Sequence, residues 1–412
     1  MGTRNRQRRA EKRRRHERRS SPTSNPRVDG PPVRDVIYTA ARAFGPVGSA
    51  QTQALLAVLA EAMPGAAVEL DVVLGEAVRT AWSRNWDAVE VTRQVGRRLG
   101  DRHARYVTDV IGRDAGGTRW WPSGQTHLDH WAAREGVSTI DAMACAIDVL
   151  GLLWRLPTLP RLGDGRLPGL PPARPDTRIL EKVRALLAKA ESTTFPDEAE
   201  ALSAKAQELI ARHSIDEAMV GAAEGAQDTP SGVRLPVDEP YAATKSVLLA
   251  VVASTNHCRA VWSKDLAFST VVGFESDLAF VEVLYTSLLV QATSAMVAAG
   301  SQIDRSGRSR TRSFRSSFLL AYADRIGVRL REAETAGRVA AAERYGVSLV
   351  PVLAGRSDAV QAACDGAFPS VVSRSMSASN AAGWAAGRAA ADLASLSGRV
   401  EVRSRSDEET RT

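Results

Sequence analysis

Cysteine is scarce in this chain of 412 residues: Cys145, Cys258 and Cys364 are odd in number and far apart. That argues against a disulfide framework and for a reducing cytoplasm. Aromatic residues are also few, while alanine is abundant. Both favour closely packed helices over a sandwich of sheets. No uninterrupted apolar run reaches the roughly 18 residues that span a bilayer. The basic N-terminus is not followed by the apolar stretch of a secretory signal. No membrane span is therefore expected. Familiar chemical signatures are missing as well. There is no H-E-x-x-H, no G-x-x-x-x-G-K-[ST], no G-x-G-x-x-G after a strand and no G-x-S-x-G. Hydrolase, nucleotide-binding and dehydrogenase readings lose their usual support. The sequence leads us to expect no catalytic residue, no cofactor and no metal.

What is present is uneven charge. Residues 1–19 contain nine arginines and Lys12 against Glu11 and Glu17, a net +8, whereas the whole chain is +7. The body is thus close to neutral, and the basic character belongs to Arg4, Arg6, Arg8, Arg9, Lys12, Arg13, Arg14, Arg15, Arg18 and Arg19. Residues 1–32 lack apolar periodicity and read as a disordered tail, as do residues 399–412. Clustered arginines neutralise phosphates and release counterions, so such an arm suits nucleic acid. No aromatics interleave with them, so base stacking is not expected. A solvated tail with no dedicated partner is the plainer alternative. A second basic cluster follows at Arg305, Arg308, Arg310, Arg312 and Arg315, in a serine-rich stretch read as a loop.

The most patterned segment is residues 178–215. Ile179, Leu180, Val183, Leu186, Leu187 and Ala190 recur at helical spacing and form one apolar stripe. Thr194 and Asp197 have the spacing of a capping box, and Pro196 fits a first helical turn. Ala199, Leu202, Ala206, Leu209, Ile210 and His213 continue the pattern. The expectation is two helices, about 178–190 and 195–213, packed antiparallel.

This hairpin resembles that of the bacterial and phage family "domain of unknown function twenty-seven eighty-six". The residues that carry the likeness are Lys182, Leu186, Leu187, Ala190-Glu191-Ser192-Thr193, Phe195-Pro196, Glu198-Ala199, the run from Ala204 to Leu209, and Arg212-His213-Ser214-Ile215. Residues 271–289 and 313–330 are similar, less closely, to the alpha-plus-beta segment that often follows. The resemblance implies a fold and no chemistry. Its polar residues Lys182, Glu191, Glu198, Lys205, Gln207, Glu208 and His213 form either a shared binding face or ordinary solvated surface.

The remaining periodicity divides the chain. Residues 33–156 form a helical domain with a glycine-rich loop at 113–126 that carries Trp120 and Trp121, 157–175 and 221–240 are linkers, 176–220 hold the hairpin, and 241–398 form an α+β domain. There His257 to Ser263 and Phe268 to Phe274 read as strands around a Lys264-Asp265 turn. Long helices are expected from Ser276 as N-cap and from about Ser316 to Tyr345. A last helix at 379–395 carries Gly383 and Gly387.

Three motifs invite chemistry and are weak. His127 and His130 share a helical face, but a zinc site needs further ligands, and nothing fixes Asp129 or Cys145 there. His257 and Cys258 are adjacent, which on a strand points them apart. Glu191, Asp197, Glu198 and Glu200 sit at a helix start, where capping already explains carboxylates. The expected protein is mainly α with a small β element, cytoplasmic and non-enzymatic. It associates with DNA or RNA without sequence preference through the basic arm, with Arg308, Arg310 and Arg312 as further contacts. A protein-interaction or regulatory scaffold is the alternative, and an enzyme with an unfamiliar site the third.

Overall fold

Local capping chemistry starts several of the helices. A computed structural model describes residues 32–43, 50–116, 125–163, 177–192, 196–224, 229–303, 306–346, 349–372 and 376–394. The arginine-rich tail, the C-terminal tail, and Thr194 with its turn lie outside the described residues. Among those described there are fourteen α-helices and one three-stranded sheet, a mainly α chain with a small β element. The chain divides into two units, residues 1–158 and 159–412.

The N-terminal unit is helical: α1 (Val33–Arg42), α2 (Ala50–Glu61), α3 (Gly65–Ser83), α4 (Ala88–Leu99), α5 (Asp101–Gly116), α6 (His127–Glu135) and α7 (Thr139–Arg155). α7 is buried along most of its length, through residues such as Met143, Ile147 and Leu150, and it touches each of the other six helices. A helix apolar on most sides can only sit in the middle of such a bundle. Its last carbonyls are satisfied from outside: Arg84 donates from Nη1 to the carbonyls of Trp154 and Leu156, at 3.1 and 2.8 Å. The fully buried Trp86 donates from its indole to the Pro157 carbonyl at 2.8 Å.

The C-terminal unit begins with the hairpin, α8 (Thr177–Ser192) and α9 (Pro196–Glu224). There follow β1 (Ser231–Pro236), α10 (Ala242–Thr255), β2 (Arg259–Ser263), β3 (Phe268–Gly273), α11 (Glu275–Ala298), α12 (Thr311–Tyr345), α13 (Leu349–Ala367) and α14 (Ala381–Asp392). The sheet is antiparallel in the order β1-β3-β2, with Ser231 opposite Gly273 and Arg259 opposite Val272. β3 is central and buried along its whole length. α12 packs on α9, α10 and α14 by close approach. A Cβ on Gly337 would lie 2.8 Å from the Ala211 methyl, and one on Gly327 2.8 Å from Val251 Cγ1. On Gly383 and Gly387 of α14 it would meet the carbonyl oxygens of Phe314 and Phe318, at 2.4 and 2.2 Å. By length and composition α11 is long and apolar enough to cross a membrane, as is the bent α6–α7 pair taken as one span. Its Phe280, Val281, Leu284 and Leu288 are buried in this unit's core.

The sequence reading missed three features here. β1 lies within the stretch expected to be a linker, because a short Ser-Gly-Val-Arg-Leu-Pro segment becomes a strand only by pairing with β3. α13 was not anticipated at all. α12 starts at Thr311 rather than near Ser316, which places Arg312 and Arg315 on a helix and not in a loop. Boundary shifts are smaller: α11 follows Phe274 rather than Ser276, and β2 starts at Arg259.

Candidate functional sites: the hairpin and the arginine-bearing end of α12

Three residues join α8 to α9, and the two helices pack on each other, so they run antiparallel. Leu180 and Val183 from α8, with Ala206 and Ile210 from α9, enter the same core as α10, α11 and α12. The motif's polar residues separate at this point. Lys182 and Lys205 are exposed, and Lys205 Nζ lies 2.8 Å from Glu208 Oε1. His213 turns inward, its ring 5.9 Å from that of Phe280 in an edge-on contact, and its buried Nε2 has no hydrogen-bond partner among the described residues. Ser214 and Ile215 are buried beside it. Lys205 and Glu208 therefore do not share a face with His213. The side chains of Glu191, Glu198 and Gln207 lie outside the described residues.

Behind the hairpin, Ser214, Asn256, His257, Asp277 and Glu334 line a cavity of about 10 Å³. That is room for about one water, and not for a substrate. Asp277 is almost wholly buried and lies 3.3 Å from Arg356 of α13. The Arg356 guanidinium sits 3.8 Å over the Phe274 ring. This ion pair pins α13 against the start of α11. Cys258 stands nearby with its thiol pushed up by burial and further by Asp277.

A different arrangement occurs at the start of α12. Arg308, Arg310 and Arg312 are all exposed. Arg310 is the N-cap residue of this 35-residue helix, it makes no side-chain cap, and no acidic residue occupies the first turn. Arg315 is half-buried, with its Nε in the interior. Helix starts carry partial positive charge and normally recruit carboxylates. Here arginines stand in their place, and the segment before them is held by the Arg310 amide on the Gln302 carbonyl at 2.8 Å. Arg305 and the arginines of residues 1–19 lie outside the described residues.

Residues 178–217 match the family model described as Protein of unknown function (DUF2786). The match takes in α8 and most of α9, and it does not reach residues 271–289 or 313–330. No curated protein and no solved structure matches the chain. The DUF2786 segment is thus the inner and outer face of one docked hairpin, with its apolar residues and His213 serving the core.

The remaining motif residues fall in separate places. His127 is fully buried in the N-terminal unit, with Nδ1 3.4 Å from Asp71, while His130 is only half-buried. Among the described residues no group of three or more His, Cys, Asp or Glu converges. Burial pushes the Cys145 thiol up to about 12. His257 is not on a strand, as the sequence suggested. It occupies a left-handed turn, φ 56°, and the following Cys258 is buried, with its amide on the Ala253 carbonyl at 2.9 Å.

Proposed function

We propose that this protein binds nucleic acid without sequence preference, as a non-enzymatic phosphate-backbone binder of the cytoplasm. The observation that carries the reading is the start of α12. Three exposed arginines lie at or within four residues of the start of a helix that has neither a side-chain cap nor a first-turn carboxylate. Backbone amides and guanidinium groups together make an anion site of the kind a phosphate occupies. The +8 charge of residues 1–19 supplies a longer electrostatic arm. Contacts of both kinds position a nucleic acid and read no bases.

The test is fluorescence anisotropy of the full chain with labelled duplex and single-stranded polynucleotides. With six to eight phosphates engaged, affinity is expected to fall roughly a thousandfold or more between 50 and 200 mM salt. Deleting residues 1–20 removes most of the binding and flattens the slope. Replacing Arg308, Arg310 and Arg312 with Gln lowers the slope further, by about one unit per lost phosphate contact. If neither the deletion nor the triple variant changes binding, the reading is wrong. If the full chain does not bind at low salt, the hairpin's exposed face, with Lys182, Lys205 and Glu208, becomes the surface to test for a protein partner.

A further inference from the structure

A groove of about 410 Å³ opens in the C-terminal unit where α10, α12 and α14 meet. Val247 and Val251 of α10 line it together with Leu320 and Asp324 of α12. Trp384 of α14 completes the lining, with Met376 and Ala378 from the segment just before that helix. The volume falls in the range of about 300–1,000 Å³ typical of small-molecule sites, and the mostly apolar lining is typical of them too. The frame is fixed by close packing. Gly327 lets α12 approach Val251 of α10, and Gly383 and Gly387 hold α14 at backbone distance from α12. The segment that carries Met376 and Ala378 is tied down by the Ser379 and Asn380 amides, which donate to Ser317 Oγ at 3.1 and 3.0 Å.

The lining is uneven in charge. Among the described residues that form it, Asp324 alone is charged. Its Oδ2 lies 3.3 Å from Arg388 Nη1, but Arg388 does not line the groove. The two side chains of this pair are 49% and 46% exposed, so the pair is of the weak surface kind. Asp324 Oδ1 accepts no hydrogen bond among the described residues. A carboxylate has lone pairs for several donors, so one arginine does not exhaust it. Trp384, half-buried, adds an indole to the same lining, and indole faces attract cations. An anion would meet the carboxylate. A small bare cation would leave Val247, Val251, Leu320 and Met376 without a partner.

We propose that this groove binds a protonated organic amine, with its ammonium on Asp324 Oδ1 beside Trp384 and its apolar body along the valines, Leu320 and Met376. The site is independent of the arginines at the start of α12 and of any nucleic acid they hold.

The test is isothermal titration of the full chain with phenethylamine, phenethyl alcohol, phenylacetate and methylamine, alongside thermal denaturation with each. Phenethylamine is expected to bind and to raise the unfolding midpoint. The alcohol has the same body without the charge and should bind about 5-fold more weakly or less, the scale of a half-exposed ion pair. Phenylacetate and methylamine should not bind. Asp324→Asn should weaken amine binding by a similar factor of about 5. Arg388→Gln removes the competitor for the carboxylate and should tighten amine binding, a change that a purely structural ion pair would not produce. Ala378→Trp alters an exposed position and fills the groove, so it should abolish binding. The proposal is overturned if phenethylamine does not bind, or if the alcohol, the acid or methylamine binds as well as it does. It is equally overturned if Asp324→Asn or Ala378→Trp binds like the parent, or if Arg388→Gln fails to tighten binding.

Discussion

The two units start their helices by different mixtures of means. In the N-terminal unit three helices carry local caps, while α1 and α3 begin after a proline without one. Asp87 and Glu90 close a capping box on α4, with bonds of 2.7 and 3.0 Å. Thr126 and Asp129 do the same on α6, which ends at a left-handed Gly136. Ser138 caps α7 by accepting from the Asp141 amide at 3.1 Å. In the C-terminal unit α10, α11 and α12 all begin without a side-chain cap, and α14 has one, Asn380 accepting from the Gly383 amide at 2.9 Å. Their positions are set by what they touch: α12 glycines against side chains of α9 and α10, α14 glycines against the α12 backbone, a buried ion pair at Asp277, and the hairpin docked on α12. A helix with a local start signal is marked in sequence before it has a neighbour. A helix placed by contact is marked only once the neighbour is known.

Removing a long-range contact in the C-terminal unit should therefore have the largest effect. Arg356→Ala leaves the buried Asp277 carboxylate without its charge partner and takes the guanidinium off Phe274. A loss of about 3–5 kcal/mol is expected. Urea unfolding of the full chain measures it. A change under about 1 kcal/mol would mean that water reaches Asp277 and the pair is a surface one.

One substitution made in both units sharpens the contrast further. Gly387→Ala puts a methyl 2.2 Å from the Phe318 carbonyl oxygen, so α14 must move away from α12. The strain outweighs the better helix propensity of alanine, for a net cost of about 2 kcal/mol. Gly112 of α5 has nothing within 4 Å of the added methyl. Gly112→Ala should stabilise by about 0.5–1 kcal/mol. The two thermal midpoints should move in opposite directions; a shared sign would show that glycine spacing on α14 is not what sets its distance from α12.

The same contrast explains what could be read from the residues. The hairpin was legible because its stripe, Leu180, Val183, Ala206 and Ile210, is periodic in sequence and buried in the structure. The capped helices of the N-terminal unit were legible in outline for the same reason. β1 was not, because its strand character comes from β3. α13 was not, because its anchors, Arg356 on Asp277 and Leu349 against Ile215, are distant in sequence. The start of α12 was not: arginines spaced by serines read as loop, whereas the helix begins at Thr311 and takes in Arg312 and Arg315. His127 was noticed for its spacing to His130, whereas its actual neighbours, Asp71 and Tyr106, lie on other helices.

Local signals should yield smaller penalties. Thr126→Ala removes the hydroxyl that accepts from the Asp129 amide at 3.1 Å. It should cost about 1 kcal/mol, the usual value of an N-cap. Thr126→Ser keeps the hydroxyl and should restore most of it. If the serine variant is as weak as the alanine, the threonine methyl and not the cap is what matters at this position.

The smallest effect is expected on the outer face of the hairpin. Lys205 is exposed, and its one described ion pair is with Glu208, a single turn away on the same helix. Such pairs are worth about 0.3–0.5 kcal/mol and are screened by salt. Lys205→Ala should change stability by no more than that, and by less at high salt. Val183→Asp, on the inner face of the same hairpin, buries a charge at a fully enclosed position and should cost several times as much. The pair of variants separates the two faces of the segment that matches the family model. If Lys205→Ala proves as damaging as Val183→Asp, Lys205 must hold something beyond Glu208. The outer face would then be an interface, and the protein-partner reading would gain over the phosphate one.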